Sequence, residues 1–201
     1  VALLKEVHHR VKNNLQIVAS LLNLQAVRSR NTEVVEVLQD TGNRVRSMAL
    51  LHEVLYASGT LASINFATYV EDLCRHLLRS YGHAAARIKL VNRVDRIGLP
   101  LEQSVPCGLI INELVSNALE HAFPIGHHPC HLQIELAQEG PEVTLTIKDS
   151  GRGLPSDFDL STDRGLGLRI ARTLAEKELS GTLRLDGRDA GGSTATVTFY
   201  I

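Results

Sequence analysis

Glu113, Asn117 and His121 stand four residues apart in the stretch N-E-L-V-S-N-A-L-E-H, residues 112–121. Around them Leu109, Ile110, Ile111, Leu114, Val115, Ala118 and Leu119 recur at helical spacing, so the stretch predicts a helix with its apolar side buried. On such a helix a carboxylate, an amide and an imidazole form one line up one face. An amide oxygen ligates Mg²⁺ without adding negative charge beside a polyphosphate, and Mg²⁺ takes few protein ligands, leaving waters and substrate phosphates to fill the rest. Asn117 is therefore a candidate Mg²⁺ ligand. The competing reading is an ordinary solvated polar face.

Two glycine clusters follow. D-S-G-R-G-L-P, residues 149–155, leaves a predicted strand. An acid at a strand end followed by Gly151 and Gly153 lets backbone approach a flat ligand, while the Asp149 carboxylate can accept from an exocyclic amine; a tight turn is the plain alternative. R-G-L-G-L, residues 164–168, opens a predicted helix. Gly165 and Gly167 there leave free amides at the positive end of a helix dipole, an arrangement suited to phosphate. The stretch between the clusters, residues 154–163, is polar with few apolar anchors and reads as a lid. Near the start, His8 and His9 are adjacent on a predicted helix.

The elements that must position these residues are legible in outline. The chain has 201 residues, enough for one large domain or two small ones, and 44% are hydrophobic. Aromatics at 4%, no Trp and a net charge of -1 argue against a nucleic-acid partner or an anionic lipid surface. Cys74, Cys107 and Cys130 are odd in number and widely spaced, which argues against a disulfide framework or a zinc site. There is no apolar run approaching the ~18 residues of a membrane span. A cytoplasmic location is expected. The chain opens on Val1 inside a helical pattern, so a fragment with a sensor or membrane anchor upstream is expected as well.

Residues 2–30 lack Gly and Pro, and Leu4, Val7, Val11, Leu15, Val18 and Leu22 step by three and four, predicting a long amphipathic helix. Asn31, Thr32 and Glu33 supply N-cap chemistry for a second helix, with Val34, Val37, Leu38, Val45, Met48, Leu51 and Leu55 inward and a stop at residues 57–59. Such a hairpin cannot bury both apolar stripes alone, so pairing with a second copy into a four-helix bundle is expected. Beyond residue 60 the pattern predicts strands at 64–66, 88–94, 131–137, 143–148, 182–185 and 194–200, and helices at 66–81, 101–123 and 166–179. The fold class is α+β: a helical hairpin at 1–59, then an α/β sandwich at 60–201 with helices on one side of a mixed sheet.

In order and spacing, N-E-L-V-S-N-A, D-S-G-R-G, R-G-L-G-L and then G-G-S-T at 191–194 resemble the N, G1, G2 and G3 boxes of the Bergerat ATPase fold of gyrase, Hsp90-class chaperones, MutL and histidine kinases. The resemblance covers about 140 residues and implies ATP with Mg²⁺ as cofactors. It implies that Asn117 holds Mg²⁺, Asp149 binds the adenine amine and Gly151 and Gly153 make room for the base. Gly165 and Gly167 would border the triphosphate, and Ser193 would sit near the adenine.

K-E-V-H-H-R-V-K-N-N-L, residues 5–15, resembles the H-R-x-K-N phosphoacceptor box of sensor histidine kinases related to the HWE group. Both the box and the helix select His9. At ~100° per residue, Asn13, Gln16 and Ser20 fall within roughly 40° of His9, whereas Val7, Val11, Val18 and Leu22 lie opposite. The resemblance implies MgATP-dependent autophosphorylation of His9, transfer to an aspartate on a response-regulator receiver domain, and a homodimer. Glu6 could orient the imidazole, Arg10 and Lys12 could neutralise the phosphate, and Asn13 matches a position tied to acyl-phosphate hydrolysis.

Departures are also visible. Glu113 stands where many histidine kinases carry Asn, so it would orient the acceptor imidazole or a water on the metal. Glu120 stands where Lys often meets phosphate, passing that contact to His121 or Arg164, and Phe158 is the lid's sole aromatic candidate. The competing functions are an ATP hydrolase or serine kinase of the same fold, and a non-catalytic dimerisation module.

Overall fold

The Gly- and Pro-free opening folds as one helix, α1 (Ala2–Arg28). Asn31 then starts the next helix, its Oδ1 accepting from the amides of Glu33 at 3.0 Å and Val34 at 3.4 Å, which caps α2 (Thr32–Ala57). The computed structural model describes residues 2–57, 66–82, 87–95, 97–124, 126, 129–156, 158–160, 162, 165–187 and 191–201, and the side chains of all these except 2–9, 51, 52, 54–57 and 101. It divides into two units, Val1–Ile64 and Asn65–Ile201. The boundary expected at 59/60 lies outside the described residues.

In the first unit, Lys12 Nζ early in α1 meets Glu53 Oε1 late in α2 at 2.5 Å, so the helices run antiparallel. Their seam is built from small residues: Ala19, Ala26, Gly42, Ser47 and Ala49 are buried. Of the sets expected from periodicity, the side chains of Leu4, Val7, Leu51 and Leu55 lie outside the described residues, and the others are only partly inward. Val11 and Val18 are 37% and 45% exposed, and Val34, Val37 and Met48 are exposed too. Ile17, Leu21, Leu24 and Val27 add to an open apolar surface, because each helix carries a broader apolar face than a single neighbour covers.

The second unit runs α3 (Phe66–Ser80), β1 (Lys89–Val94), α4 (Leu101–Asn117), β2 (His131–Glu139), β3 (Glu142–Asp149), α5 (Leu166–Thr173), β4 (Thr182–Gly187) and β5 (Ser193–Tyr200). The five strands form one mixed sheet in the order β1-β2-β3-β5-β4, with β1 parallel to β2 and the other pairs antiparallel. Alternation decides which face is covered. Leu132, Ile134 and Leu136 of β2, Val143, Leu145 and Ile147 of β3, and Ala195, Val197 and Phe199 of β5 are buried in register beneath the helices. The fold class is the expected α+β with a mixed sheet. Of the strand expected at 64–66, the first two positions lie outside the described residues, and Phe66 instead opens α3 and is buried.

Two helices end differently from expectation. The α-helical part of α4 stops at Asn117 and continues as a π-helical turn, Ala118–Ala122, and α5 continues likewise at Leu174–Glu178. Deep in the core, Tyr69 lies over Gly108 of α4, where an added Cβ would stand 2.7 Å from Tyr69 Cε1. Burial pushes the Cys74 and Cys107 thiols up to about 12, so both serve as packing groups. No helix among the described residues is long and apolar enough to cross a membrane.

Two glycine substitutions separate these environments. At Gly42 an added Cβ would meet only ordinary contacts, the nearest being Asn23 Oδ1 at 3.4 Å, so Gly42→Ala should gain about 0.5–1 kcal/mol. At Gly108 the Tyr69 ring fills that place, so Gly108→Ala should lose about 1–3 kcal/mol. Denaturant melts check both signs, and a neutral Gly108→Ala would contradict the packing described.

Candidate functional site

The apolar side of α4 is buried through Ile110, Ile111, Leu114 and Val115, which fixes the direction of its polar residues. Three of those are buried as well, Ser104 near the start of the helix, Asn112 at 2% and Glu113 at 3% exposure. Asn112 Nδ2 donates to Glu113 Oε1 at 3.1 Å. The other carboxylate oxygen lies toward α5: Glu113 Oε2 is 2.9 Å, and Asn117 Oδ1 3.5 Å, from the place a Cβ would take on Gly167. Only a glycine lets the first turn of α5 come so close to both side chains. Gly165 is the N-cap of α5, with no side-chain cap. A carboxylate and an amide thus converge on a helix N-terminus, where backbone amides and the dipole favour negative charge.

The second cluster forms where β3 ends. Lys148 pairs with Thr194, so the next position brings Asp149 against Ser193. Asp149 is buried, its Oδ1 accepting from the Gly151 amide at 2.8 Å and its Oδ2 from the Ser193 amide at 3.2 Å and from the Ser193 hydroxyl. A carboxylate held this way has its orientation fixed by two separate chain segments.

The glycines of this cluster serve backbone contact. A Cβ on Gly151 would overlap the Ala122 carbonyl at the end of the π-helical turn, and the neighbouring Arg152 amide donates to that carbonyl at 2.9 Å. A Cβ on Gly153, at φ +81°, would stand 3.1 Å from the Gly192 carbonyl oxygen, and one on Gly192, at φ +87°, would overlap the Asp149 backbone. The space their missing side chains leave is filled by protein.

The structure therefore brings Glu113, Asn117 and Gly167 together, with Gly165 at the head of the same helix, and gathers Asp149, Gly151, Gly153 and Ser193 in a second group. His121, the third member of the expected line, stands in the π-helical turn that continues α4. The His121 side chain is 66% exposed beside Glu120, at 3.7 Å, and Glu120 accepts from the Tyr81 hydroxyl. Arg164 lies outside the described residues, as does the His9 side chain, although the His9 backbone is part of α1. The lid stretch is described only in part, with turns closed by Phe158 N to Pro155 O and Thr162 N to Asp159 O, both 3.1 Å. Sequence reasoning passed over Asn112, hidden in its own motif, and Gly192, whose pairing with Gly191 before the last strand was the available signal.

The donor set also bears on a metal. Among the described residues no three His, Cys, Asp or Glu side chains cluster as a cage. One amide and one carboxylate beside a phosphate-favouring helix end suit an ion that keeps waters and substrate oxygens, which is the habit of Mg²⁺.

Comparison with known proteins matches two successive stretches of the chain. A histidine kinase family model matches residues 6–81, and the model of histidine kinase-, DNA gyrase B- and HSP90-like ATPases matches residues 102–201. The sensor histidine kinase PdtaS of Mycolicibacterium smegmatis is 37% identical over 193 residues, covering 96% of this chain and 38% of that protein. Blue-light-activated histidine kinase 2 of Erythrobacter litoralis is 28% identical over 177 residues, 86% of this chain and 50% of that protein. The chain thus spans between about a third and a half of the length of these relatives. Among solved structures, the histidine kinase domain from the Erythrobacter litoralis EL346 blue-light activated histidine kinase superposes with a TM-score of 0.71 at 25% identity, covering 97% of this chain and 89% of that one. A matched helical region followed by a matched ATPase domain, together taking in most of the chain, make this protein a member of the histidine kinase family, with an ATPase domain of the type shared with DNA gyrase B and HSP90.

Proposed function

We propose that the chain is the phosphotransfer core of a two-component sensor kinase: bound MgATP gives its γ-phosphoryl group to His9, and the phosphohistidine passes it to an aspartate in the receiver domain of a response regulator. Residues 1–59 act as the dimerisation and phosphotransfer hairpin, and residues 60–201 as the catalytic ATP-binding domain. The observation that carries this reading is the Asp149 carboxylate, buried and held by Gly151 and Ser193 at the end of β3 in a domain of the matched ATPase type. A fixed carboxylate of this kind is the group needed to accept from the exocyclic amine of adenine.

The remaining roles follow from charge and position. The α5 N-terminus, with Gly165 and Gly167, receives the phosphates, and the contact a Lys often makes passes to Arg164 or His121. Asn117 would hold Mg²⁺, which when bound supplies positive charge against the phosphate oxygens. An imidazole attacks phosphorus through a nitrogen lone pair, so its proton sits on the other nitrogen, where Glu113 or Glu6 can hold it. The new N–P bond forms as the bond from phosphorus to the β-phosphate oxygen breaks, and ADP leaves. No water needs activation in this step, so positioning and charge neutralisation are the protein's main contributions. The exposed apolar row of the hairpin, Ile17, Leu21, Leu24 and Val27, supports pairing with a second copy. A receiver-domain partner implies a cytoplasmic location.

Two outcomes test the reading. His9→Gln should abolish acid-labile labelling from γ-labelled ATP and leave nucleotide binding intact; undiminished labelling would move the acceptor to His8 or refute the transfer. Asp149→Asn should weaken ATP binding about ten- to a hundred-fold, the scale of a lost charged hydrogen bond, and erase the ATP-dependent rise in melting temperature. An unchanged ATP-dependent rise would remove Asp149 from the site.

A further inference from the structure

Residue 112 is an odd place for an amide. Its helix neighbours Ile110, Ile111, Leu114 and Val115 are core residues, and Asn112 itself is 2% exposed. A buried amide is costly unless its hydrogen bonds are made, and a Leu would fill such a position at lower cost. Adjacent residues on a helix point about 100° apart and do not ordinarily face each other. Even so, Asn112 Nδ2 reaches sideways to donate to Glu113 Oε1 at 3.1 Å. That bond selects one orientation of the carboxylate and leaves Oε2 on the side of α5 and Asn117.

We propose that Asn112 is a positioning residue for phosphoryl transfer: by holding one oxygen of Glu113, it aims the other at the first turn of α5, where the reacting phosphate is bound. The proposal rests on the kinase reading above and adds a residue that acts through Glu113. Two consequences separate it from a packing role. Loss of Asn112 should lower the rate of transfer without weakening ATP binding, since the bond it removes is made to Glu113, whereas Asp149 is held by Gly151 and Ser193. The loss should also disappear when Glu113 no longer carries a carboxylate to be aimed.

The test is a double-mutant cycle on the whole chain, reading the autophosphorylation rate and KM for ATP in wild type, Asn112→Leu, Glu113→Gln and the double variant, with Asn112→Ser as the variant that keeps a donor. Asn112→Leu should slow autophosphorylation about ten-fold, the usual scale for a group that orients a functional side chain, with KM within about two-fold. In the Glu113→Gln background the same change should cost less than about two-fold, and Asn112→Ser should regain part of the wild-type rate. Equal losses in both backgrounds, a parallel loss of ATP affinity, or no rescue by Ser would overturn the proposal. If Glu113→Gln is too slow to read, the rescue and the KM of the single variants decide. A wild-type chain that binds ATP but never labels would instead refute the kinase reading, so the two failures are distinguishable.

Discussion

The parity of β3 is the constraint on which the site depends. Val143, Leu145, Ile147 and Asp149 alternate onto the covered face of the sheet, so the strand that builds the core delivers a carboxylate to its edge as the last inward position. A slip of one residue would turn Lys148 inward and expose the three apolar side chains, so the hydrophobic core itself enforces where the acid points. Register with β5 then sets Ser193 beside it, and the carboxylate joins two segments that are 44 residues apart in sequence.

The glycines around this carboxylate work by allowing segments to touch. Gly151 rests on Ala122, Gly153 on Gly192, Gly192 on Asp149 and Gly167 on Glu113 and Asn117. Gly151 and Gly153, expected to make room for a base, also let the π-helical turn, the β3 exit and the β5 entry come together. The site is a junction of backbones with few side chains in it, and a fixed junction needs little reorganisation when a charged ligand arrives.

Much of this was legible because the fold relies on periodicity. The alternating strands at 131–137 and 143–148, the glycine pairs and the buried face of α4 all follow from residue spacing, and the motif order gave the family before any geometry. What escaped depends on long-range packing. No local pattern announces that α4 leaves α-helical winding after Asn117. Nor does periodicity distinguish Val18 or Met48, apolar and on the expected stripe yet exposed, from residues covered by a neighbour. Asn112 escaped for a subtler reason: its amide is buried among apolar side chains and bonds to its immediate successor, a contact that helical spacing argues against.

The central claim is that phosphorus moves from nucleotide to imidazole in this chain. Incubation with MgATP, digestion at alkaline pH and mass spectrometry of the phosphopeptides tests it most directly. The account predicts one phosphoryl group on the peptide containing His9, stable to base and released by acid. Phosphate found on a serine or threonine and stable to acid, or ATP consumed to free phosphate with an unmodified chain, would contradict it.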